Sequence, residues 1–272
     1  MGETKQEDVI PPWVIDGILC HSCTIIANPQ MGKTNLAKVV VSEIVRQRPL
    51  LVSAKVFDTA QVWRHRFLSS FKFQEINDLT SKVYDGEDNI IFDMEYEDSE
   101  RIMQFMGNAI LLDYERNRLR KKESGKLIDY FLYTIEEAQN SLGSYSLNRE
   151  SGRIWLKMIS EAGNFGLSFL FIGQRAADIS TKAVERSQTY FIGKTVGDRN
   201  IQKLKGILGS DAGAQQLGEP LHERAKRLKI GEFIFWNGET AYLFECPKFE
   251  DLYKDQKPSE VKPEKPRWLR IW

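Results

Sequence analysis

Three short stretches carry residue types that could handle a phosphate group. The first is Ala27-Asn28-Pro29-Gln30-Met31-Gly32-Lys33-Thr34. Gly32 lets backbone approach an anion, Lys33 can reach β- and γ-phosphates, and the Thr34 hydroxyl can serve as a Mg²⁺ ligand. The loop residues Ala27, Asn28, Pro29, Gln30 and Met31 would wrap a triphosphate with backbone N–H groups. From Asn35 a helix adds unpaired amides and its positive end. The second stretch is Glu136-Glu137, which closes the apolar run Leu127–Ile135. One carboxylate would hold the Mg²⁺ shell and the next would polarise an attacking water. Glu136 stands where aspartate is usual; its longer arm still reaches a metal through water. The third is Gln174, directly after Leu167–Gly173, where a polar side chain can sense a γ-phosphate.

The elements that must position these residues are legible in the pattern. Thr24-Ile25-Ile26 reads as a strand before the loop, and Asn35 to about Arg46 reads as a helix with Leu36, Val39, Val40 and Ile44 on one face. Leu50–Phe57 reads as a second strand ending in Asp58, at the edge where ligands gather in open α/β sheets. Trp63, Phe67, Phe71 and Phe73 suggest a helix or loop cover. Asn89–Asp93 is a third strand, and Ser99 to Lys122 a long helix with Ile102, Phe105, Met106, Ala109, Leu112 and Leu119 on its apolar face. Its basic end (Arg116, Arg118, Arg120, Lys121, Lys122) complements the helix C-terminus, with a contact to DNA phosphates as the alternative. Leu142–Asn148 reads as a loop, Ser151–Ala162 as a helix and Ala176–Gln188 as a helical piece. Thr189–Gly193 is a strand, Asp198–Leu208 an amphipathic helix, and Glu232–Phe244 a hairpin with an Asn237-Gly238 turn. Strands alternating with helices imply an α/β fold: a doubly wound, mostly parallel sheet with an antiparallel C-terminal edge hairpin.

Composition sets the outer bounds. The 272 residues carry 38 Lys+Arg and 38 Asp+Glu, so any nucleic-acid surface must be a local patch. No apolar run approaches a membrane span, and the polar start Met1–Asp8 is no signal peptide. Cys20, Cys23 and Cys246 suit a reducing interior, and Cys20-His21-Ser22-Cys23 lacks the second pair a metal site needs. Residues 1–12 read as a flexible lead, 13–246 as one domain, and 247–272 as a Lys/Pro-rich extended tail ending in Trp268 and Trp272.

The order of these motifs resembles the HerA/FtsK superfamily of ring-shaped, DNA-translocating ATPases, over about Ile25 to Phe235. Ile135–Asn140 looks like that family's acidic strand end. Ile159–Ser168 running into Phe171–Arg175 looks like its helix–strand–sensor segment, and Gly231-Glu232-Phe233 like a late element. The resemblance implies a RecA-like P-loop NTPase core that hydrolyses ATP with Mg²⁺, in a hexamer with double-stranded DNA in its pore. It also implies Glu136 or Glu137 as metal and catalytic acid, and Gln174 as sensor. Two departures stand out. Ala27 replaces the first glycine, and Gly163-Asn164 replaces a basic pair that is one suggested source of the trans-acting arginine. Arg149 or Arg153 could substitute. Without the N-terminal barrel of cellular relatives, the chain looks like packaging ATPases of membrane-containing icosahedral viruses. That implies capsid or membrane-associated viral partners and a location in host cytoplasm or virion. Lys203, Lys205, Lys226, Arg227 and Lys229 would then be pore candidates, with a solvated surface as the equal alternative. The competing expectations are an ATP-dependent assembly or secretion factor that moves no DNA, and a nucleotide switch.

Overall fold

The structure is a computed structural model describing residues 8–76, 88–94, 99–126, 129–141, 150–175, 177, 187–254 and 256–260. Its centre is one ten-stranded sheet. In chain order the strands are β1 (Ser22–Ile26), β2 (Val52–Asp58), β3 (Lys72–Ile76), β4 (Ile90–Met94), β5 (Tyr130–Ile135), β6 (Leu167–Gly173), β7 (Ser187–Ile192), β8 (Glu232–Trp236), β9 (Ala241–Glu245) and β10 (Ser259–Glu260). They lie side by side as β10-β3-β4-β2-β5-β6-β1-β7-β8-β9. Neighbours from β10 to β7 run parallel, and β8 and β9 are antiparallel, which is the doubly wound α/β sheet with an edge hairpin that the sequence implies.

Parallel strands buried on both faces need apolar side chains in both directions. Phe131, Tyr133 and Ile135 of β5 face one layer with Phe169 and Phe171, whereas Leu132, Leu170 and Ile172 face the other. The first layer is closed by α3 (Ser99–Ser124) and α5 (Glu150–Glu161), the second by α1 (Pro12–Cys20) and α2 (Lys33–Gln47). Proline at the first helical position starts α1. The hairpin turn is stapled by Asn237, whose Oδ1 accepts from the N–H groups of Glu239 (3.1 Å) and Thr240 (2.7 Å).

Several expectations are corrected. Phe73, read as part of a cover, lies in strand β3, while Trp63, Phe67 and Phe71 do bury as a loop cover. On α3, Leu112 and Leu119 are exposed, at 47% and 52%; the buried face instead continues through Asp113 and Asn117. These polar residues bond internally, although Asn117 Oδ1 finds no partner among the described residues. Asn117 donates to the carbonyls of Asp129 (2.9 Å) and Phe165 (2.7 Å). Asp113 Oδ2 accepts from Lys55 Nζ of β2 at 2.5 Å and from the Tyr133 hydroxyl, and its Oδ1 accepts from Arg116 at 3.1 Å. Ser187 and Gln188 belong to β7, not to a helix.

Residues near both ends of the described chain pack on the domain. Ile10 is buried, and the Val9 N–H donates to Glu43 at 3.2 Å. Phe249 is buried against Phe67, and β10 joins the sheet edge beside β3. Residues 1–7, the 142–149 loop with Arg149, and Trp268 and Trp272 lie outside the described residues.

Candidate active site

Four adjacent strands, β2, β5, β6 and β1, deliver their C-terminal ends to one place. After β1 the chain turns through Ala27–Gly32 into α2. Gln30 and Gly32 are left-handed (φ 62° and 88°), which curls the loop and gives Gly32 its structural requirement. The loop is tied from behind: Asn28 N–H donates to the Lys194 carbonyl (2.9 Å), and Gly231 N–H to the Met31 carbonyl (3.3 Å). A methyl on Gly193 would come within 2.8 Å of the Ala27 Cβ and of Phe233 Cε1. Ala27 therefore occupies room that Gly193 leaves free. Ala27 and Met31 are buried, so any ligand would meet this stretch through backbone and through Pro29, Gln30 and Gly32.

Lys33 is 8% exposed and donates to the Asn28 carbonyl at 3.0 Å. Burial lowers its pKa, and the nearby charges of Glu137 and Glu136 work in the opposite direction. Glu136 is 3% exposed and its pKa is pushed up to about 7, chiefly by burial, with Asp58 and Glu137 adding to it. The Trp63 indole N–H (2.9 Å to Oε1) and the Thr34 hydroxyl donate to this carboxylate and moderate the shift. Glu137 is left-handed at φ 47°, uncommon for a residue with a side chain. Its carboxylate accepts from Gln174 Nε2 at 2.7 and 2.8 Å and from Gln139 Nε2. Pro29, Gln30, Gly32, Lys33, Thr34, Asn35, Glu136, Glu137 and Gln174 line one cavity of about 500 Å³.

Nine of the predicted residues therefore line one cavity, whereas Ala27, Asn28 and Met31 are not in its lining. Asn35 lines the cavity, but its side chain is spent on the C-terminal segment: Nδ2 donates to the Pro247 carbonyl (2.8 Å), and Oδ1 accepts from Phe249 N–H (2.8 Å). Arg153 belongs to α5. Sequence reasoning missed Trp63 and Lys38 as parts of the site. Lys38 Nζ, buried one turn beyond Thr34, donates to the carbonyls of Val62 (3.0 Å) and Arg66 (2.9 Å) and so gathers the loop that carries Trp63. Asp58 accepts from Trp63 N–H at 2.7 Å, and its burial raises its pKa. A tryptophan five residues beyond a strand-ending aspartate was the available signal.

The residues fit a magnesium nucleotide. Thr34 and Glu136 present hard oxygens side by side, and Lys33 and the loop amides offer donors. Among the described residues no cluster of three or more His, Cys, Asp or Glu could hold a metal alone. Mg²⁺ is typically held by one or two protein oxygens together with substrate phosphates.

No protein-family model and no curated protein matches the chain. Solved structures do. The genome packaging NTPase B204 from Sulfolobus turreted icosahedral virus 2, in complex with ATP-gammaS, matches with a TM-score of 0.59 and 13% identity, over 84% of this chain and 98% of that one. The pCW3 conjugation coupling protein TcpA, with ATPgS, matches at 0.51 and 13%, over 86% and 63%. The cytoplasmic domain of the Thermomonospora curvata type VII secretion ATPase EccC matches at 0.57 and 12%, over 84% and 25%. The chain thus has the fold of P-loop ATPases of the packaging, conjugation and secretion kinds, in line with the HerA/FtsK-like order of its motifs.

Proposed function

We propose that the chain is an ATPase that drives double-stranded DNA translocation, in the manner of a viral genome-packaging motor. The observation that carries the ATPase reading is the convergence of Lys33, Thr34, Glu136, Glu137 and Gln174 on one cavity. The DNA reading is supported by the likeness to B204, which spans almost all of that protein.

In this reading Lys33 and the loop amides hold the phosphates, and Thr34 with Glu136 holds Mg²⁺. Bound between these residues, Mg²⁺ would supply Lewis-acid stabilisation of the phosphate charge. Glu137, aimed by Gln174, takes a proton from the water that attacks the γ-phosphorus as the bond to the bridging oxygen breaks, leaving ADP and phosphate. A hexameric ring would let Arg149 or Arg153 act from a neighbouring subunit. The likeness to EccC favours a second reading, an assembly or secretion factor acting on a protein.

Steady-state ATP hydrolysis at low and high salt, without DNA and with double- or single-stranded DNA, tests both. Stimulation by double-stranded DNA that fades with salt is expected for the motor. Turnover indifferent to DNA at every salt would overturn it in favour of the protein-directed reading.

A further inference from the structure

A second cavity, of about 540 Å³, lies where the C-terminal segment folds back over the loop after β2. Its wall is built from distant parts of the chain. Phe249 stacks on Phe67 (centroids 5.4 Å apart) and packs on Tyr253 (5.0 Å). Gln256 Oε1 accepts from the Ser69 N–H at 3.1 Å and closes one side. Arg66, Lys254 and Lys257 line it, with Glu250 as the single carboxylate among the described residues.

Among the described residues the lining carries more positive than negative charge. Arg46, Lys55, Arg64 and Lys72 each face a carboxylate at ion-pair distance. Arg66, Lys254 and Lys257 have no such partner among the described residues. Three cations around one concave, partly aromatic wall form a receptor for closely spaced anionic oxygens, because several phosphates supply what a lone surface carboxylate does not. We propose that this cavity is a second phosphate-binding site, distinct from the nucleotide cavity, which takes phosphate groups of a polyanion on Arg66, Lys254 and Lys257.

The site also touches the chemistry. The Arg66 carbonyl accepts from Lys38, as does that of Val62, and Trp63 between them donates to Glu136. A ligand that draws Arg66 therefore pulls on the loop that holds the metal-side carboxylate. The phosphates could belong to a nucleic-acid backbone or to a free phosphorylated small molecule, and the test separates these sources. Binding at this site does not depend on the chain being an ATPase.

The variant Arg66→Gln/Lys254→Gln/Lys257→Gln is compared with wild type for binding a fluorescein-labelled 30-base-pair duplex by anisotropy across a salt series. Tripolyphosphate is titrated calorimetrically into Lys33→Ala, with and without the triple change. If the source is nucleic acid, duplex affinity falls at least tenfold and the log–log salt slope flattens by about 3, close to 0.9 per lost contact. If it is a small molecule, duplex binding stays and tripolyphosphate binding is lost. The charge-preserving Arg66→Lys/Lys254→Arg/Lys257→Arg variant retains the binding that the glutamine variant loses. Unchanged binding of both probes in the glutamine variant overturns the proposal.

Discussion

Two buried charge clusters in this molecule use nearly the same residues in opposite ways. Between β2, β5 and α3, Lys55, Asp113, Tyr133 and Arg116 close on one another, and both oxygens of Asp113 are engaged. At the strand ends, Lys33, Glu136 and Glu137 line a cavity, and Lys33 bonds a carbonyl, not an acid. The first cluster neutralises itself and joins elements. The second keeps its charges apart, so that burial acts on them: Glu136 rises to about 7 and Lys33 falls. Self-cancelling charge is architecture, whereas charge held open around a concavity is a site.

The contrast can be broken at either pole. The largest effect is expected from Glu137→Gln: hydrolysis should fall by about 10²–10⁴-fold, with nucleotide binding and melting temperature kept. Retained turnover would shift the base to Glu136. Next, Asp113→Ala leaves Lys55 buried and unpaired and should cost about 3–5 kcal/mol in urea unfolding, while turnover per folded molecule is unchanged. Replacing both partners, Lys55→Met with Asp113→Leu, should recover most of that loss; if it does not, the pair does more than cancel itself.

A pH series sharpens the other pole. Glu136 has a native pKa of about 7 against an ordinary 4.5, so the native state binds the proton more tightly than the unfolded chain does. Its contribution is therefore full below pH 4.5 and is lost as pH rises to about 7. Over that window it amounts to about 3 kcal/mol at 1.36 kcal/mol per unit. Glu136→Gln should flatten this part of the stability curve, and an unchanged curve would place the titration elsewhere. The smallest effect is expected from Gly193→Ala, which should cost about 1–3 kcal/mol through overpacking. Adding Ala27→Gly should restore only part of it, because Phe233 still crowds the new methyl.

Much of this was legible in the sequence because the relevant signals are local. Thr24–Ile26, the glycine-lysine-threonine loop and the amphipathic stretch behind it place β1 and α2 without tertiary knowledge. Leu127–Ile135 and Leu167–Gly173 are apolar enough to be buried strands, so the residues after them fall at strand ends. What escaped was set by partners far along the chain. Asp113 and Asn117 bury because Lys55, Asp129 and Phe165 answer them, and no hydrophobic period reveals that. Strand β3 alternates only weakly, with Gln74 inside, and takes its identity from pairing with β4. Trp63 joins the site through a hydrogen bond spanning 73 positions. The C-terminal segment reads as a polar tail, yet the side chain of Asn35 pins it to the start of α2.

The tight fit between Ala27 and Gly193 bears on how such a loop can change over generations. With an alanine at 27, position 193 has no room for a side chain, so the two sites are not free to drift separately. A lineage that moves from glycine to alanine at the first loop position must already carry glycine just beyond the neighbouring strand β7. One that acquires a methyl at 193 must first give up the methyl at 27 and then shift Phe233. The order of substitutions is constrained in both directions. Among descendants of this chain, alanine at 27 should be found together with glycine at 193.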